Sequence, residues 1–170
     1  MLIELVKGTT HDTLRIERAD GSRAEAQVSK KGPLPHDGVH FAVETGLGFR
    51  LGFRRGFFGL IAEGRHPDEI AGFASAMGHS SAAKAHAPDL SIIELLQAER
   101  LVECFEAEVW GGPADLETLQ SVADAAFSAS LAPRVVLTEN GVSAVRSGLE
   151  QLKADWLRLP LGGTLCYDWP

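Results

Sequence analysis

The chain has 170 residues, 45% of them hydrophobic and 23% charged, enough for one sizeable core and short for two domains. Sixteen Lys and Arg against 23 Asp and Glu leave a net charge of −7, which argues against nucleic acid as a partner, because phosphate binding depends on clustered positive charge. No apolar run reaches the ~18 residues of a membrane span, MLIELVKG opens on a strand-like run rather than a leader, and Cys104 and Cys166 form no C-x-x-C pair; the expectation is one cytoplasmic domain, residues 1–170, with two free thiols and no membrane partner.

LIELV, DTLRIER and RAEAQVS are short and largely alternating, with Leu14 and Ile16 on one face against Arg15 and Glu17 on the other, the pattern of strands. Between the second and third lies ADGS, whose Asp20-Gly21 pair suits the positive backbone angles of a tight hairpin turn. After KKGPLP the period becomes helical. A short helix is predicted from about His36, another over PDEIAGFASAMG, a long one over PDLSIIELLQAERLVECFEAEVW, and two more over about 114–131 and 141–157. Gly46 to Gly59, GLGFRLGFRRGFFG, reads as a Gly-rich turn plus a strand or helix with buried Phe, and MGHSSAAKAHAPD as a mobile loop. The last helix places Val142, Val145, Leu149, Leu152 and Trp156 on one stripe, the spacing of a core-facing surface. At the end, Leu165, Tyr167 and Trp169 alternate with Thr164, Cys166 and Asp168. That is a strand, and a lone strand must pair with the N-terminal hairpin. The expected fold is therefore α+β: a small antiparallel sheet from the N-terminal hairpin plus the C-terminal strand, with four or five helices packed on it.

The chemistry-bearing stretch is LPHDGVHFAVETG, Leu34 to Gly46. With Pro35 as a first-turn residue and about 100° per residue, His36 and His40 share a face with Val39 and Val43, while Phe41 points nearly opposite. Imidazoles on an apolar helix face need hydrogen-bond partners or a metal. Glu44 lies about 12 Å along the axis from His36, so a third ligand must come from another element. The long helix offers one. Glu99, Glu103 and Glu106 form an acidic row within about 60° on the side that is apolar in its first half. If that row meets the short helix, His36 and His40 with Glu99 or Glu103 make a site for zinc or another divalent metal.

HDGVH is similar to the zincin signature H-E-x-x-H, in which two histidines hold zinc and the intervening Glu acts as base. The resemblance implies metal-dependent hydrolysis with Asp37, one methylene shorter than Glu, in the base position, and Glu44 as the other proton acceptor; Gly38 puts a flexible residue in the first turn of the helix that would hold the ligands. The order ELVKG, RADGS, LPHDGVHFAVE, GFFGLIAEG and LPLGGTL resembles a group of small uncharacterised bacterial proteins, which implies a compact bacterial domain and no particular activity. RRGFFG has a large residue where an RNA-recognition strand needs a small one, and SAAK, Ser81 to Lys84, has the S-x-x-K spacing without a K-T-G element. Two functions follow: a metal-dependent hydrolase, or a non-catalytic binding or homodimerisation module in which the histidines are packed polar residues and Asp37 serves the helix N-terminus.

Overall fold

The computed structural model describes residues 1–30, 32–49, 55–79 and 90–170, the side chains of 74–79 and 90–92 excepted. The alternating N-terminal runs form β1 (Leu2–Val6), β2 (His11–Glu17) and β3 (Arg23–Ser29), and the chain returns at its end as β4 (Thr164–Asp168). Every neighbour is antiparallel, in the order β3-β2-β1-β4. The register sets Ile3 opposite Ile16 and Tyr167, and Leu5 opposite Leu14 and Leu165. Paired residues share a face, so these side chains form one apolar surface, which the helices cover. The opposite face carries the cross-strand ion pairs Arg15–Glu25 and Arg23–Glu17, both at 2.8 Å. The two ends are tied together, the Met1 ammonium donating to the Trp169 carbonyl at 2.9 Å and the Trp169 amide to the Met1 carbonyl at 2.8 Å.

The β2–β3 turn is wider than the two-residue turn that Asp20-Gly21 suggests. Only Gly21 adopts a positive φ, 80°; Asp20 instead accepts the Ser22 amide at 2.9 Å, and the Arg18 amide donates to the Ser22 carbonyl at 2.9 Å. Arg18 then reaches out of the turn to the carbonyls of Ile61 (Nε, 2.6 Å) and Arg65 (Nη2, 2.8 Å).

Six helices occur among the described residues: α1 (His36–Gly46), α2 (Phe57–Ala62), α3 (Pro67–His79), α4 (Leu90–Gly111), α5 (Leu116–Ala129) and α6 (Glu139–Arg158). The one beyond the expected four or five is α2, a six-residue helix formed by the end of the Gly/Phe tract. Asp115 and Thr138 cap α5 and α6 by accepting the amides of Thr118 and Gly141, as short polar residues do at helix starts. Residues 50–54 of the Gly/Phe/Arg tract and residues 80–89, with the S-x-x-K tetrapeptide, lie outside the described residues; of the stretch expected as a mobile loop, Met77 to His79 belong to α3. Both cysteines are free thiols, Cys104 buried and Cys166 exposed. Among the described residues no helix is long and apolar enough to cross a membrane.

The centre of the molecule is α1, buried on three sides. Phe41 stacks on Tyr167 of β4 with ring centroids 4.4 Å apart, so one side faces the sheet. Gly38, Ala42 and Gly46, four apart, form a second side against α6. A Cβ at Gly38 would lie 2.9 Å from Leu152 Cδ1, and one at Gly46 would lie 2.6 Å from Val145 Cγ2 and 2.7 Å from the Val145 amide nitrogen. Glycine at 38 costs about 1 kcal/mol of helix propensity relative to alanine, and in return the two helices cross closely. The third side, carrying His36 and His40, faces α4.

Candidate metal centre

His36 and His40 project side by side from adjacent turns of α1, their rings 4.8 Å apart and nearly perpendicular at 83°. Across from them stands Glu99 of α4. Its Oε1 is 3.5 Å from His40 Nε2 and its Oε2 is 3.9 Å from His36 Nε2. The other ring nitrogen of each histidine is also engaged. His40 Nδ1 pairs with Glu44 Oε1 at 3.0 Å, and His36 Nδ1 with Glu106 Oε1 at 2.8 Å. Each imidazole therefore has one carboxylate at its Nδ1, while both Nε2 atoms turn to the same carboxylate, Glu99. When the Nδ1–H donates outward, the lone pair is left on Nε2, the tautomer a metal requires.

Glu44 is fully buried, and its position depends on three donors. Besides His40 it accepts the Phe57 amide at Oε1 (2.8 Å) and the Phe58 amide at Oε2 (3.2 Å), the first two amides of α2. A buried carboxylate is costly unless several N–H groups replace its water, and the start of α2 supplies two. Gly56, immediately before that helix, has no room for a side chain: a Cβ there would overlap the carboxyl carbon and oxygens of Glu44. The Phe57 ring completes the enclosure, 5.2 Å from that of His40.

These contacts set the electrostatics. Burial opposes a charge on His40, but Glu99 and Glu44 outweigh it, and its pKa is raised to about 10. His36 moves the same way: burial lowers it, and Glu106 and Glu99 raise it further than burial and the neighbouring His40 bring it down. Burial also opposes the charge on Glu99, yet His40 and His36 hold its carboxyl well below the usual carboxylate range. The surrounding carboxylates thus favour a positive charge at the two histidines, and a divalent ion would compete with protons for it.

His36, His40 and Glu99 each offer a ligand atom, all within 4.8 Å of one another, and this group could hold a metal ion. Four ligands around zinc at 2.0–2.1 Å stand about 3.3 Å apart, so ligand atoms that lie within 4.8 Å of one another must draw together to close on an ion. Of the other candidates, Glu103 does not join the group. Its carboxylate pairs with Arg100 at 2.9 Å and is half-exposed. Glu44 stands behind His40, on the Nδ1 side, while the Nε2 side faces Glu99. Asp37, in the first turn of α1, is buried and lies outside the group of ligand atoms. Sequence reasoning placed Glu106 in the acidic row without a role; its partner, His36 Nδ1, shows it to be the counterpart of Glu44. Gly56 and the amides of α2 carry no signal in a single sequence, because the segment that positions them is six residues long and their target is 12 residues earlier or more.

No family model, curated protein or solved structure matches the chain.

Proposed function

We propose that this protein is a metal-dependent hydrolase whose divalent ion, zinc by the nature of the donors, is held by His36 Nε2, His40 Nε2 and Glu99. The observation that carries this reading is the paired orientation of the imidazoles: each Nδ1 has its own carboxylate, Glu44 or Glu106, and both Nε2 atoms face Glu99. Two histidines and one carboxylate are the ligand set of catalytic zinc sites that keep a fourth position open, and carboxylates behind the histidines are the usual means of fixing such ligands. Held by these residues, a divalent ion would supply Lewis-acid chemistry and would lower the pKa of a water bound to it towards neutrality. The chain's own part is to fix the two ring tautomers, to keep Glu99 charged for the ion, and to exclude water on the Phe57 side. The open side is that of His36 and Glu99, whose side chains remain 18% and 16% exposed.

The competing reading is a binding or dimerisation module in which the same ion pairs serve only packing. Metal titration separates the two. Protein stripped with chelator and titrated with zinc should take up one equivalent, and the loaded protein should cleave members of an ester and amide panel; His40→Ala should lose both. Uptake no better than His40→Ala, with an unchanged melting temperature on adding zinc, overturns the reading.

A further inference from the structure

Beside the candidate centre, and on the opposite side of the His36 ring from Glu99, lies a second feature of recognisable chemistry. Gly32, Pro33 and Leu34, Val39 of α1, and Glu106, Val109 and Trp110 of α4 line an open pocket of about 60 Å³. Leu34 and Val39 are buried and make an apolar wall. Glu106 is the one charged residue among the described residues lining it. Its Oε1 takes His36 Nδ1, and its side chain is still 36% exposed. Trp110 is 72% exposed, an unusual state for the largest apolar side chain.

We infer that this pocket binds a small ammonium head group, the amine end of a primary alkylamine. A carboxylate lining an apolar pocket beside an indole offers such a group two interactions, of which a neutral donor can make only the first and an anion neither: a charge-assisted hydrogen bond to Glu106 and a cation–π contact with Trp110. The volume admits the head group alone, so the alkyl chain would leave past the exposed indole. Glu106 links this pocket to His36 through its other contact, but the inference does not depend on a metal at Glu99, because the two lie on opposite nitrogens of the His36 ring.

The test uses the metal-stripped full-length protein and methylammonium as probe, read by saturation-transfer NMR on its methyl resonance at constant ionic strength. Saturable transfer is expected with the wild-type chain, about tenfold weaker affinity with Glu106→Gln, and about two- to fivefold weaker affinity with Trp110→Ala. Trp110 is exposed, so its variant keeps the fold and remains informative if Glu106→Gln is unstable. Absence of saturable transfer, or an affinity unchanged in Trp110→Ala, overturns the inference. Neither result depends on whether zinc binds.

Discussion

Replacing Gly56 by alanine adds a single methyl group at the point where the chain passes the Glu44 carboxylate. The backbone there accepts it, since φ is −74°. The obstacle is the carboxyl group, which the new Cβ would overlap. Glu44 must swing away, and with it go its bonds from His40 and from the Phe57 and Phe58 amides. Hydrogen bonds to a charged group contribute roughly 1.5–3 kcal/mol each, so losing the two amide bonds alone costs about 3–6 kcal/mol. For a domain of this size each 1 kcal/mol lowers the melting temperature by about 2–4 °C, so a fall on the order of 10 °C is expected by differential scanning calorimetry. The same movement frees the His40 ring, and disturbing a group behind a metal ligand typically lowers affinity about 10–100-fold, which zinc titration would read. Gly72 is the control: a Cβ there meets nothing within 4 Å, so Gly72→Ala in α3 should leave zinc affinity unchanged and raise stability by about 0.5–1 kcal/mol. If Gly56→Ala melts and binds zinc like the wild type, Glu44 is not held as described.

The raised pKa values of His36 and His40 predict a pH dependence of the metal-free protein. His36 and His40 have raised folded-state pKa values, so their stabilisation is complete below the unfolded value of 6.5 and is lost as pH rises towards about 10, the folded value of His40. Between pH 6.5 and about 8, below the range where thiols and tyrosine titrate, the urea midpoint should fall in the wild type and stay flatter in His40→Gln; equal slopes would remove the cluster as the cause. Zinc affinity should run in the opposite direction, rising over that interval as the ion displaces protons. At the α1–α6 crossing, Gly46→Ala should destabilise more than Gly38→Ala, because the first new methyl meets Val145 backbone and the second meets the movable end of Leu152. Urea unfolding giving the reverse order would show that the crossing is not set by these glycines.

Much of α1 is legible in the amino-acid sequence alone, because an 11-residue helix spans three turns and the 100° period fixes its faces. His36 and His40 fall together and Phe41 away from them, as the Tyr167 stack confirms for Phe41. The acidic row on α4 is equally visible, but its rotation is not. That depends on packing against α1 and α5, and it turns Glu99 and Glu106 to the histidines while Glu103, at the edge of the row, pairs with Arg100. The role of Gly38 also escapes a local reading: its helix cost is evident from residue type, whereas its benefit lies in Leu152, over a hundred residues later. The sheet followed from alternation, the turn at Asp20-Gly21 and the need of a lone C-terminal strand for a partner, and its four strands pair through matching apolar faces. For α2 the sequence leaves strand and helix open, with buried Phe in either, because six residues are too few to display a helical period.

The most direct test of the central claim is X-ray absorption at the zinc edge on protein loaded with one equivalent. Two histidine nitrogens and a carboxylate oxygen at about 2.0–2.1 Å are predicted, with one imidazole's scattering lost in His36→Ala and one in His40→Ala. A first shell of light atoms without imidazole scattering, or one unaltered in both variants, would place the ion elsewhere and contradict the account.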